Sequence, residues 1–285
     1  MGTSQSSSGS PSGVPMVPPW ATDPVPPYDG AQGDDGADDQ DHDAAGDTQQ
    51  SAPPPPPIPV APTGRFGPAR RDLGSFARSG STEDMRKGVG HYVSKGLGGS
   101  GTATRRFGGT ARTAGSLYGA LSAASAGQPA APGSPFDPAL LRGRSADEVL
   151  DALVEAVRPV DGTQDTEASR YAINDALSDV LSRYPDADLL NLTEEQRLFA
   201  IERYIALDVF NRFDLDVGKH LRENAPGVAA ELSRFREVKN YIRETVAAAF
   251  RKARGAAQAL DARRIGGIVR ASLQETFEVF EGYLS

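Results

Sequence analysis

The sequence contains no cysteine, only three histidines and no long run of apolar residues. Without cysteine the chain has no disulfide, no thiol nucleophile and no thiolate metal site, which fits a reducing compartment. No apolar stretch approaches the roughly 18 residues that a membrane-spanning helix needs. The first residues show neither the basic region nor the apolar region of a secretory signal peptide. These absences predict a cytoplasmic protein that makes no membrane contact.

Residues that often carry enzyme chemistry are sparse and isolated in this sequence. None of His42, His91 and His220 has a second histidine at metal-ligand spacing, so we predict structural or surface roles for all three. Asp214 and Asp216 resemble an acidic pair, and we interpret them as helix-capping residues. We therefore predict no catalytic residue, no metal ion and no cofactor, and a protein that is not an enzyme.

Charge is distributed unevenly along the chain. Residues 1–64 carry nine Asp and no Lys or Arg, whereas residues 65–121 carry ten basic and three acidic residues. An acidic tail beside a basic segment can mask it within one molecule, an effect that salt weakens. The alternative is that both segments are simply solvated. The sequence leaves both interpretations open.

The first 64 residues have the composition of a disordered tail. Ser, Gly, Pro, Asp and Gln dominate, and apolar residues are too few to offset the entropy lost on folding. The run Pro53–Pro57 favours an extended polyproline spacer over a ligand for a groove. Trp20, the single tryptophan, is a candidate docking point for a partner or for the helices of this chain.

A basic, glycine-rich helical segment is predicted over residues 65–126. Pro68 lies near the start of a first helix, and Ser81 caps a second, with Asp84 three residues on. Glycines break the chain before a third helix, which we predict from about residue 102 to 124. The cations that we single out as candidate contacts for a partner or a phosphate are Arg86, Lys87, Lys95, Arg105, Arg106 and Arg112.

The glycines of this segment have two interpretations. Gly96, Gly98 and Gly101 match G-x-G-x-x-G, but no convincing strand precedes them and no acidic residue follows at the required distance, so we do not predict a dinucleotide site. A glycine loop that opens a helix can still hold an anion on its free amides. Gly115 and Gly119 lie within an apolar helical stripe and suggest close approach of a neighbouring helix or a partner.

Residues 127–138 form a predicted linker, and residues 139–285 a predicted bundle of five amphipathic helices, which we expect to fold as an independent unit. Ser145 with Glu148, and Thr193 with Gln196, are predicted capping boxes. The fourth helix carries a predicted inward stripe of Val228, Leu232, Phe235, Val238, Ile242, Val246 and Phe250. No segment alternates as a strand would. The predicted fold is all-α: a helical bundle that follows a basic helical segment and a disordered tail.

Two stretches of the sequence resemble a known family. The opening MGTSQSSSG with PMVPPW, and the block from RFGPARRDLGSFARSG to TARTAGSLYGAL, are similar to the QatB family of the Qat antiphage defence system. The resemblance implies a bacterial cytoplasmic protein encoded beside an ATPase, a QueC-like enzyme and a TatD-like nuclease. This chain would then be their substrate, adaptor or scaffold.

The amino terminus offers a reactive group on which a partner enzyme of this kind can act. Gly2 follows Met1, and a small second residue normally permits removal of the initiator methionine. The free amine, with a pKa near 8, is a candidate for modification by the QueC-like partner. The alternative function is a nucleic-acid-binding module that uses the basic residues of segment 86–112.

Overall fold

The structure, a computed structural model, describes residues 61–129, 136–255 and 260–284, which form helices joined by turns and loops. Within these ranges no strand is present, and the all-α prediction is confirmed. The predictions for Gly2, Trp20 and Pro53–Pro57 lie outside the described residues. The helices are α1 (Gly67–Ser79), α2 (Thr82–His91), α3 (Ser100–Arg106), α4 (Gly108–Ser125), α5 (Pro138–Leu141), α6 (Ala146–Val157), α7 (Gln164–Arg183), α8 (Glu194–Phe213), α9 (Lys219–Asn224), α10 (Val228–Arg254) and α11 (Ala262–Glu281).

Two π-helical segments and one 3₁₀ turn complete the helical elements of the described residues. A π-helical segment, π1 (Tyr92–Leu97), continues α2 directly, and a second, π2 (Asp214–Gly218), continues α8. A 3₁₀ turn (Gly282–Leu284) follows α11. In a π-helix each turn holds more residues than an α-turn, so side chains after it point in a different direction.

Local capping signals define where several helices begin. The Ser81 hydroxyl accepts a hydrogen bond of 3.2 Å from the backbone N–H of Asp84, as predicted. Both predicted capping boxes, which begin at Ser145 and Thr193, are present with their reciprocal hydrogen bonds. Pro68 occupies the first turn of α1, where its missing N–H costs nothing.

Helices α4, α8, α10 and α11 form an antiparallel four-helix bundle. Each packs against two of the others, in the cyclic order α4, α8, α10, α11. This is the arrangement that short apolar stripes at helical spacing favour. The contacts that fix the four pairings are Thr110 with Asp208, Phe210 with Phe235, Tyr241 with Phe280, and Phe107 with Phe277.

The remaining long helices cover this bundle. Helix α7 packs along the outer side of α8, and α6 lies against both α7 and α4. Helices α1 and α2 pair as a hairpin, with α1 against α9 and α2 against α11.

One hydrophobic core therefore runs from Phe66 to Phe280, on both sides of the predicted linker. Helix α4, from the predicted basic segment, is itself a member of the bundle, and independent folding of residues 139–285 stays a prediction.

Glycines allow the helices to approach one another closely. A Cβ on Gly115 would lie 2.5 Å from the carbonyl oxygen of Ala262 on α11, and one on Gly119 would lie 3.3 Å from the Ala262 Cβ. A Cβ on Gly90 would likewise lie 2.8 Å from the carbonyl oxygen of Phe280. For these positions a neighbouring helix of the same chain accounts for the glycine.

Two details of the helix predictions were wrong. The helix predicted from residue 102 to 124 is interrupted at Phe107, which ends α3 and packs on Phe277 just before two glycines that favour helix poorly. Val228 and Leu232 were predicted to face inward but are 72% and 61% exposed. Because Tyr241 already lies beside the end of α11, the first turns of α10 extend past that helix and have no partner from it.

Candidate functional site

A cluster of charged and hydroxyl side chains lies between the two π-helical segments. The Tyr92 hydroxyl of π1 donates a hydrogen bond of 3.0 Å to Oδ2 of Asp216 in π2. Arg70 of α1 donates to the backbone carbonyl of Asp216 at 3.2 Å. π-helical turns inside longer helices are frequent at functional sites. We call this cluster, together with Arg106, Asp208 and Arg212, the polar junction.

A small cavity opens into the polar junction. Its volume is about 90 Å³, which is room for a few water molecules and far less than a nucleotide or a drug-sized ligand occupies. The residues that line it are Tyr92, Leu97, Arg106, Phe107, Asp165, Arg212, Leu215 and Asp216. The walls carry two cations and two carboxylates, so the cavity favours neither an anion nor a cation by charge.

A buried ion pair on α8 forms the inner wall of the junction. Asp208 is fully buried and accepts a hydrogen bond of 2.6 Å from the Thr110 hydroxyl of α4. Its Oδ2 lies 3.4 Å from Nε of Arg212, whose side chain is only 12% exposed. Burial alone would lower the pKa of Arg212, but the negative charges of Asp208 and Asp165 outweigh it and raise that pKa. Arg212 therefore stays charged inside the protein.

Sequence reasoning missed this ion pair although a signal was present. Asp208 follows the inward-facing Ile205 by three residues and the buried Tyr204 by four, so it had to lie on the inner face of α8. Arg212 comes one turn later on the same face. A charge in the middle of an apolar stripe, with an opposite charge four residues on, indicates a buried pair.

The capping interpretation of Asp214 and Asp216 was wrong. Both residues belong to π2, and neither side chain caps a helix within the described residues; Asp214 takes the C-cap position of α8 through its backbone alone. Asp214 instead forms an ion pair of 2.6 Å with Arg222 of α9. Burial raises the pKa of Asp216, despite the hydrogen bond from Tyr92 and the positive charges of Arg106 and Arg65.

The Asp216→Asn variant should gain stability relative to the wild type as pH rises. Because the pKa of Asp216 is raised above its usual 3.8, the folded chain keeps this proton at pH values where the unfolded chain releases it. The stability that this group contributes is therefore present at low pH and is lost as pH rises from 3.8 through the folded pKa. Urea denaturation of both proteins between about pH 3 and pH 7 measures the difference. A stability difference that stays constant over that range would contradict the prediction.

The six predicted contact cations do not form one surface. Arg86 lies over the Tyr283 ring at 5.3 Å, and Lys87 forms an ion pair of 2.6 Å with Glu83 along α2. Arg106 lines the cavity of the polar junction. Lys95, Arg105 and Arg112 are exposed, on π1, α3 and α4 respectively. A continuous phosphate-binding tract over residues 86–112 thus has little geometric support, and nucleic-acid binding stays a prediction.

The predicted anion site at the glycine loop contains a carboxylate of the chain itself. Gly98 and Gly99 adopt positive φ angles of 87° and 89°, which turn the chain sharply between π1 and α3. The backbone N–H of Ser100, at the start of α3, donates a hydrogen bond of 3.1 Å to Oε2 of Glu281. The loop therefore joins α3 to the end of α11.

The histidines that the structure describes have structural surroundings. Nδ1 of His91 lies 2.6 Å from Oδ2 of Asp72, which ties α2 to α1. A Cβ on Gly74 would lie 3.4 Å from Nε2 of His220, so this ring packs against α1. In the described ranges no group of three or more histidines and carboxylates is placed to hold a metal ion. His42 lies outside those ranges.

A protein-family model described as QatB, Qat anti-phage system associated protein QatB, matches residues 98–280. The chain belongs to the QatB family. The matched residues include all four helices of the bundle, π2 and the pair Asp208–Arg212. Residues 1–20, on which the sequence resemblance also rested, lie outside the match, as do α1 and α2. The chain is thus a component of a Qat anti-phage system.

Other comparisons add no relative. Neither the curated proteins nor the solved structures contain a match to this chain.

Among the helices of the described ranges, none combines the length and the apolar character that crossing a membrane requires.

Proposed function

We propose that this chain is a non-catalytic component of a bacterial Qat antiphage complex, acting in the cytoplasm as a substrate, adaptor or scaffold. The observation that carries the proposal is the family match, which places the whole bundle in a protein of an anti-phage system. The proposed partners are a QueC-like enzyme, an ATPase and a TatD-like nuclease, which would supply the chemistry.

The polar junction supports a structural rather than a catalytic role for its charged groups. Asp208 is engaged by Thr110 and Arg212, and Asp216 is engaged by Tyr92. These contacts join α4 to α8 and π1 to π2, so the polar groups hold helices together. A catalytic acid or base must instead reach its substrate directly or through one water. The cavity of about 90 Å³ holds only a substrate of a few atoms.

We further propose that the QueC-like partner modifies the amine of Gly2. QueC-like enzymes activate a deazapurine carboxylate with ATP and transfer the acyl group to ammonia. If the Gly2 nitrogen attacks that activated carboxyl carbon instead, the nucleotide leaves, the amine loses a proton and a stable amide forms. At pH 7 the neutral fraction of an α-amine with a pKa near 8 is about a hundredfold or more larger than that of a lysine with a pKa near 10.4. The small, polar residues after Gly2 allow the end to enter a deep active site.

Replacing Gly2 should abolish both the modification and phage protection. In Gly2→Pro the terminal nitrogen becomes a hindered secondary amine, so we expect no added mass on the amino-terminal peptide. Gly9→Pro is the matched control, because it changes the same tail and leaves the terminal amine intact. Mass spectrometry of the chain from cells with and without the QueC-like partner measures the modification. An unmodified Gly2 peptide from cells that express the whole operon would contradict this part of the proposal.

The wider proposal has its own genetic test. Deleting this gene from its operon should remove protection, and the gene should lie beside genes for an ATPase and a QueC-like enzyme. Full protection without the gene would count against any role in the complex. Loss of protection with an unmodified Gly2 would instead retain the adaptor or scaffold role and remove only the modification.

A further inference from the structure

The outer face of the α4–α11 pair carries a strip of arginines, of which Arg270 is partly exposed and the others are exposed. Arg112 lies on α4, and Arg263 and Arg270 lie on the antiparallel α11, on the side of each helix that faces away from the bundle core. Arg105 of α3 extends the strip at one end and donates a 3.2 Å hydrogen bond to the neighbouring Thr102. We call these four residues the basic strip.

Small residues form the floor of the basic strip. The two helices meet so closely that a Cβ on Gly115 would lie 2.5 Å from the Ala262 carbonyl oxygen. Because the residues between them are small, the long arginine side chains project beyond this surface. The space between the arginines suits an extended peptide chain. The small floor residues that are at least partly exposed are Gly109, Ser116, Gly119, Gly267 and Ala271.

Carboxylates around the strip already have other contacts. Asp261 caps α11 by accepting a 2.7 Å hydrogen bond from the backbone N–H of Arg264. Glu278 accepts a hydrogen bond of 2.7 Å from Gln274, and Glu275 forms an ion pair of 2.7 Å with Lys252. Arg112, Arg263 and Arg270 have no ion-pair or hydrogen-bond partner within the described ranges. The strip therefore suits an extended, acidic chain.

We propose that the acidic segment Asp34–Asp47 of this chain binds the basic strip of the same molecule. That segment contains seven aspartates and no lysine or arginine. Charge complementarity thus comes from the chain itself, and a tether keeps the segment at an effective concentration near the millimolar range. Exposed Asp–Arg contacts are individually weak, so the interaction depends on several of them and on low salt. This inference is independent of any modification at Gly2.

The tether is long enough for this contact. The described chain begins at Ala61, which is buried, and Phe66 stacks on Tyr92 at the start of π1, close to α3. The 14 residues from Asp47 to Ala61 reach up to about 45–50 Å when extended. Helix α4 has 18 residues and is therefore about 27 Å long, which is less than this reach.

Cross-linking with a carbodiimide tests the proposal on the full chain. The reagent joins a carboxylate to an amine in direct contact, so Arg112→Lys places a reactive amine in the strip without changing its charge. Arg236→Lys is the matched control, because Arg236 is also exposed but lies on α10, diagonally across the bundle from α4. We expect cross-links from Asp34–Asp47 to the lysine of Arg112→Lys, at least about fivefold more abundant than to the control lysine and lost near 1 M NaCl.

Three outcomes would overturn the proposal. The first is an equal yield, or no yield, at the two lysines. The second is cross-linking only between chains when isotopically labelled and unlabelled protein are mixed, which would identify the tail of a second copy as the occupant. The third is co-purified nucleic acid on the wild-type chain that Arg112→Ala with Arg263→Ala removes, with no cross-link to the tail. A cross-link within single chains that salt removes supports it.

Discussion

Replacing Asp208 with alanine should lower the free energy of unfolding by about 3–5 kcal/mol, because it leaves a buried cation without its partner. Arg212 is held inside by the negative charges of Asp208 and Asp165, and its side chain is 12% exposed. Thr110 would also lose the acceptor of its 2.6 Å hydrogen bond. Asp165 would remain as the second carboxylate that acts on Arg212, but the fully buried carboxylate between α4 and α8 would be lost.

Asp214→Ala is the matched control for this experiment. It removes the same kind of Asp–Arg pair, with Arg222, but the two side chains are 30% and 45% exposed. Exposed pairs contribute about 0.2–1 kcal/mol, so the control should be several times less destabilised. Urea denaturation followed by circular dichroism gives both values. If both variants lost the same free energy of unfolding, burial would not make the Asp208–Arg212 pair more stabilising than an exposed pair.

Adding one methyl group at Gly115 should destabilise the fold by about 1–3 kcal/mol, although alanine favours helix over glycine. The new Cβ would lie 2.5 Å from the carbonyl oxygen of Ala262, a backbone atom that can move only if α11 moves. Helices α4 and α11 would then separate, and the contact between Phe107 and Phe277 would loosen with them. The expected effect is thus opposite in sign to that of helix propensity.

The control for Gly115→Ala is Gly267→Ala, on the other helix of the same pair. A Cβ at Gly267 meets nothing within 4 Å, so only the helix propensity should act. We expect a gain of about 0.5–1 kcal/mol there. Thermal denaturation of both variants measures the contrast in sign. A Gly115→Ala variant that is as stable as Gly267→Ala would mean that α4 and α11 do not meet as closely as described.

Local features of this fold were predictable, whereas contacts between distant segments were not. The caps at Ser81, Ser145 and Thr193 involve residues three positions apart, so a short window of sequence contains the whole interaction. The Tyr92–Asp216 and Thr110–Asp208 hydrogen bonds instead join residues about a hundred positions apart. No local pattern specifies such a pairing.

The basic stretch shows the same limit for a surface. Arg105 and Arg106 are neighbours in sequence, yet one is exposed on α3 and the other lines the cavity, because successive helical residues point about 100° apart. Two of the residues that join Arg112 in the basic strip, Arg263 and Arg270, come from α11, more than 150 residues later. Charge counting along the chain therefore identified a basic segment but not the surface to which it belongs.

Pairing α4 with α11 also sets an order of events during synthesis. Helix α11 comes last among the described α-helices, so the bundle cannot close until the chain has been synthesised beyond Glu281. At about 5–20 residues per second, the roughly 220 residues between Ala61 and Glu281 take some 10–40 s to make. Throughout that interval the amino terminus is already outside the ribosome, whereas the α4–α11 face does not yet exist because α11 has not been completed. If the proposed modification of Gly2 occurs, its enzyme can begin on the nascent chain, whereas anything that binds the α4–α11 face must wait until α11 has been made.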